Sequence, residues 1–229
     1  MRDQRAESLA QILVRYSTKV SEGDVCVVQS TTSGEPLAQA VYEEVLRAGG
    51  LPVLQLTTDD AGAAFYELAS DAQLDWIPPT ATWAAENADV RIYIDATANV
   101  RDLSRADPAK QARAQKARKP LLDTTMRRAA TGEYRWCVTL FPTHAFASEA
   151  GMSLAQYEQF YYSACLATDT SSARSRPRPS WSLSAAATEH SKAAEDDRPA
   201  PDGTSPSTLI DSPGSWWPRS LSAQATPAA

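Results

Sequence analysis

A chain of 229 residues that sets 22 Lys and Arg against 28 Asp and Glu carries a formal net charge of -6 and has a pI near 5.0. That balance argues against a nucleic-acid partner, because phosphate affinity needs a basic surface. A membrane partner is not expected either: the opening "MRDQRAESLAQIL" lacks the apolar stretch of a signal peptide, and no run approaches the roughly 20 apolar residues of a spanning helix.

The first helix is expected over 5–20, where Leu9, Ile12, Leu13, Tyr16 and Val20 share one face and "SEGD" then stops the pattern. "DVCVVQS", from Asp24, is a short β-branched run of the kind buried on both faces of a parallel sheet. "EPLAQAVYEEVLRAGG" has Pro36 in its first turn, Arg47 late and Gly49 past its end, and it presents Leu37, Val41, Val45 and Leu46 as its stripe. "LPVLQLT" closes a strand, helix, strand unit, which implies a right-handed parallel crossover.

Beyond it, "AGAAFYELAS" and "DAQLDW" read as helical pieces, the doublet Pro78-Pro79 interrupts, and "TATWAAENAD" leads into the strand "VRIYID". A long helix rich in Ala, Lys, Arg and Gln follows Asp107-Pro108, and "EYRWCVTL" supplies a fourth strand. Ser153 then caps a helix whose apolar positions are Leu154, Tyr157, Phe160, Tyr161 and Leu166. The alternation specifies an α/β fold with a mostly parallel sheet and flanking helices.

Composition divides the chain. The last valine is Val138, and from Asp169 onward Ser, Pro and Ala dominate. We therefore expect an α/β domain over 1–168 and a disordered Ser/Pro/Ala-rich tail over 169–229, which cannot bury enough apolar surface to offset chain entropy. Trp181, Trp216 and Trp217 are unusual in such a segment.

Cys26, Cys137 and Cys165 are odd in number, far apart and set in apolar contexts. They match neither a disulfide framework nor a zinc spacing, and they point to core thiols in a reducing, cytoplasmic compartment. The loop "QSTTSGEP" lies where open α/β sheets bind ligands, and its hydroxyls and helix start suit a small anion. It has no glycine-rich dinucleotide fingerprint and no Lys for a phosphate loop, Glu35 opposes an anion, and simple helix capping explains the same residues. His144 reads as a surface histidine at a helix start. "KQARAQKARKP", from Lys110, reads as a solvated helix face. Glu189, His190, Glu195, Asp196 and Asp197 group like metal ligands, but they fall in the tail, with no rigid shell to hold them. No serine or cysteine has a credible base.

Five separated segments together resemble the N-terminal domain of the metallo-aminopeptidase family of aminopeptidases T and S. They are "LAQILVRYSTKVSEGDVCVVQS", "EPLAQAVYEEVLRAGGLPVLQL", "ASDAQLDWIPP", "RIYIDATANVRDLSRADPAKQARAQKARKP" and "RWCVTLFPTHAFASEAGMSLAQYEQFYYSAC". The resemblance implies a homodimeric enzyme that removes N-terminal residues from peptides with a pair of divalent metals, zinc or cobalt. Its glutamate, histidine and aspartate ligands lie in a C-terminal catalytic domain. No counterpart of that domain follows Asp169, so the resemblance assigns no catalytic, cofactor or metal residue here. It implies a chain that is frame-shifted or replaced after Asp169, inactive alone, and without bound metal. The competing expectation is a non-catalytic α/β module that binds a small anion or a protein partner.

Overall fold

The computed structural model describes residues 3–166. The segment 169–229, with the Glu189–Asp197 group discounted as a ligand cluster and the three tryptophans, lies outside the described residues. Four strands, β1 (Val25–Thr31), β2 (Leu51–Thr57), β3 (Val90–Asp95) and β4 (Arg135–Leu140), form one parallel sheet in the order β2-β1-β3-β4. Pairing aligns Val28 of β1 with Leu54 of β2 and with Ile92 of β3, which in turn faces Cys137 of β4.

That order dictates where the helices lie. From β1 the chain steps outward to β2, then returns past β1 to build β3 and β4 in the opposite direction. Right-handed crossovers in opposite directions must cover opposite faces of the sheet. Helix α1 (Gln4–Gln11) and α2 (Glu35–Arg47) accordingly pack on the face bearing Cys26, Val28, Val90, Ile92 and Ile94. On the other face, α5 (Pro79–Asn87) and α6 (Pro108–Ala130) cover Val27 and Trp136. Between β2 and α5 lie the short helices α3 (Ala61–Leu68) and α4 (Asp71–Asp75), and after β4 come α7 (His144–Glu149) and α8 (Leu154–Cys165). Val28, Ile92 and Ile94 are fully buried, each stabilising the fold by about 1.5–3 kcal/mol relative to exposure.

Several side chains depart from the expected stripes. The first helix is α-helical only to Gln11 and continues as a π-helix over Ile12–Ser17. The wider turn shifts the register, so Leu13 and Val14 are buried while Tyr16 faces solvent. It closes where the Thr18 N–H and Oγ1 both donate to the Leu13 carbonyl, at 3.1 and 2.8 Å. In α2, Leu37, Val41 and Val45 are buried as expected, but Leu46 is exposed and Glu44 is buried instead, held by Arg15 and Arg47. In α8 a capping box of Ser153 and Gln156 starts the helix, Tyr162 provides its buried contact, and Phe160 faces outward.

The basic run in α6 is more than a solvated face. Lys110 Nζ donates to the carbonyls of Tyr66, Glu67 and Ala69 at the end of α3, at 2.9, 3.2 and 3.1 Å. Those carbonyls have no further helical turn to accept from, so the ammonium caps them. Arg113 pairs with Asp71 and Asp75 of α4.

Candidate functional site

Open parallel sheets bind ligands where the strand order reverses, outside the carboxyl ends of the strands. Here that point lies between β1 and β3, where the loop after β1 meets the loop after β3. Gly34 brings the two loops together: a Cβ at this position would lie 2.2 Å from Ser30 Oγ and 2.7 Å from Ala96 Cβ. No other residue permits so close an approach.

The hydroxyls of this crevice are engaged within the protein. Ser30 Oγ donates to the Ile94 carbonyl at 3.0 Å and Thr31 Oγ1 to the Ala96 carbonyl at 2.7 Å. From the turn after β2, Asp59 accepts Thr32 Oγ1 at 2.9 Å and Ser33 Oγ at 3.0 Å. Burial pushes the Asp59 carboxyl up, but the hydroxyls of Thr32 and Ser33 and the backbone N–H of Ala98 outweigh it and hold it below the usual carboxylate range. An aspartate thus occupies the position that an incoming anion would take, and Glu35 adds a second acid in the first turn of α2. This geometry works against the anion-binding expectation. Sequence reading missed Asp59; its signal was an acid just past the end of β2, on the same sheet edge as the hydroxyl loop.

His144 is exposed at the first position of α7, as expected. Its neighbour Thr143 caps the helix by accepting from the Phe146 N–H, and it ties α7 to the crevice by donating to the Thr97 carbonyl at 2.8 Å. Glu149, close to His144 in sequence, pairs with Arg101 at 3.2 Å. All three cysteines are free thiols. Burial pushes Cys26 and Cys137 up to about 12, which keeps both protonated and unreactive at neutral pH.

Among the described residues, no group of three or more His, Cys, Asp or Glu side chains is placed to hold a metal ion. The donor set that a divalent metal pair requires is therefore not met by residues 3–166. Within the same residues, no helix is long and apolar enough to cross a membrane.

A family model described as thermophilic metalloprotease (M29) matches residues 2–192, a span that runs past Asp169. Among solved structures, wild-type AmpT from Thermus thermophilus is similar with a TM-score of 0.60 and 17% sequence identity. The match covers 74% of this chain and 44% of that one, so this chain spans less than half of the solved structure. No curated protein matches the chain.

Proposed function

The chain belongs to the thermophilic metalloprotease family M29, and on that premise we propose that it represents the N-terminal, non-catalytic half of a metal-dependent aminopeptidase. The substrate class is peptides with a free N-terminus, and the product is the released N-terminal amino acid. A zinc or cobalt pair would belong to a catalytic half whose ligands are not among residues 3–166. The observation that carries this reading is the family match over residues 2–192, together with the lack, among the described residues, of any group of three or more side chains placed to hold a metal ion. The α/β domain over 1–168 then serves as scaffold, and homodimer formation is part of the same proposal.

The chain by itself is proposed to be inactive, with its sequence replaced after Asp169. The change of composition at that residue supports this, although the family match itself continues to residue 192. Purified chain supplied with zinc or cobalt should hydrolyse aminoacyl reporter substrates no faster than the metal salt alone. Turnover at an enzyme-like rate, abolished by chelator, would overturn the claim of inactivity. The other two reading frames of the DNA after the Asp169 codon should encode a catalytic domain. Expressed in frame, that product should show chelator-sensitive aminopeptidase activity, and a folded but inactive product would refute the assignment of activity.

A further inference from the structure

One cation of this fold is sealed inside it without a carboxylate. Arg91 lies in β3 between Val90 and Ile92, in register with Val27 of β1 and Trp136 of β4, and only 8% of it is exposed. A charge within the run "VRIYID" is unexpected in a strand covered on both faces. Its Nε and Nη2 have no hydrogen-bond partner. Tyr134 hydrogen-bonds the guanidinium, and the Tyr93 ring centroid lies 5.9 Å from Cζ.

Beside Arg91 is a cavity of about 30 Å³ between the sheet and helices α5 and α6. Its polar lining is Arg91, Gln29, Thr125 and Tyr134; the remainder is Val, Ala and Leu, and no carboxylate lines it. Thr125 Oγ1 donates to the carbonyls of Leu121 and Leu122, so its proton is committed. Gln29 turns its Nε2 to Gln55 Oε1, and its own Oε1 is unpartnered. On the rim, Arg128 donates to the Ala85 carbonyl at 2.9 Å, lies 5.8 Å from the Tyr134 ring centroid and pairs with Glu133 at 3.9 Å, so its charge has its own carboxylate.

The space therefore lies beside a buried guanidinium with two unpartnered N–H groups and no carboxylate in the lining, and it also meets the unpartnered Gln29 Oε1. A water needs about 10–15 Å³, so the cavity holds either two waters or one ion of halide size. Waters would satisfy the N–H groups but leave the charge uncompensated. A guanidinium does not escape by losing its proton, as a buried lysine does. We propose that this cavity is a binding site for a small monovalent inorganic anion of the chloride class, held by Nε and Nη2 of Arg91.

The test uses the full chain in bromide or chloride, against gluconate at constant ionic strength. Occupancy of the folded state alone stabilises it in proportion to the logarithm of halide concentration. Each tenfold increase above half-saturation should raise the thermal midpoint by about 3–5 °C, and Arg91→Met should flatten that dependence. Because Arg91→Met removes a buried side chain and need not fold, the wild-type chain also carries its own test: crystals grown in bromide should show an anomalous peak beside Arg91 Nε. A midpoint that does not respond to halide in the wild type, or a response of the same size in Arg91→Met, would overturn the site. So would two waters in the cavity with no bromide peak.

Discussion

Gly34→Ala places a methyl group where the two crevice loops meet, and its cost follows from the contacts there. The new Cβ would lie 2.2 Å from Ser30 Oγ and 2.7 Å from Ala96 Cβ. Ser30 yields only by rotating its hydroxyl away from the Ile94 carbonyl, giving up a 3.0 Å hydrogen bond worth about 0.5–1.5 kcal/mol. Ala96 is fully buried, and its carbonyl is held by Thr31 Oγ1, so the remaining overlap becomes overpacking, at about 1–3 kcal/mol. Two smaller effects of about 0.5–1 kcal/mol each oppose one another: Ala caps α2 less well than Gly, but it narrows the unfolded ensemble. The net loss is about 2–4 kcal/mol, a fall in midpoint of about 4–16 °C for a domain of this size. Urea denaturation of the full chain measures it, and Ser30→Ala supplies the control. With the hydroxyl gone, the nearest remaining atom of residue 30 is Cβ at 3.4 Å, so the double variant should be more stable than the sum of the single changes predicts by about 1 kcal/mol or more. Strict additivity, or a Gly34→Ala protein within 0.5 kcal/mol of wild type, would refute the close approach as the reason for glycine.

The Asp59 carboxyl is depressed in the folded state, so its contribution is present above the unfolded value, near 3.9, and is lost as pH falls through the folded one. Acid titration of stability should therefore be steeper for wild type than for Asp59→Asn, and equal slopes would remove the crevice carboxylate from the account. Buried Glu44 keeps one guanidinium in either Arg15→Ala or Arg47→Ala and none in the pair, so the double change should destabilise by more than the sum, as read by denaturant midpoints. Thiol reagents at pH 8 should modify the half-buried Cys165 before the half-buried Cys137, whose thiol is pushed up to about 12, and should reach Cys26 only when denaturant opens the core; rapid native labelling of Cys26 would contradict its burial.

The sheet was legible in the sequence because each strand is a local pattern. "DVCVVQS" and "VRIYID" announce burial by their own composition, and the caps at Pro36 and Ser153 mark helix starts without reference to anything distant. What escaped depends on contacts between remote segments. The partners of Asp59, of Lys110 and of Arg91 lie 26 to 44 residues away or across the sheet, and no periodicity encodes them. Tyr16 and Leu46 were misplaced for a different reason. A π-turn rotates the first, and the buried Glu44 with its arginines takes the core position that the second would have filled.

The ammonium of Lys110 at the end of α3, together with the arginine that grips α4, sets apart a small second core of Tyr66, Ala69, Leu74, Leu103 and Ala114. None of these residues comes from the sheet, so α3 and α4 depend on one face of α6 and on charge pairs exposed to solvent. Such a unit opens at lower free energy than the sheet beneath it. Raising ionic strength weakens its attachment while leaving the apolar layer around Val28 and Ile92 intact. Amide protons of α3 and α4 should then exchange with solvent well before those of β1 and β3, through an opening that leaves the parallel ladder closed.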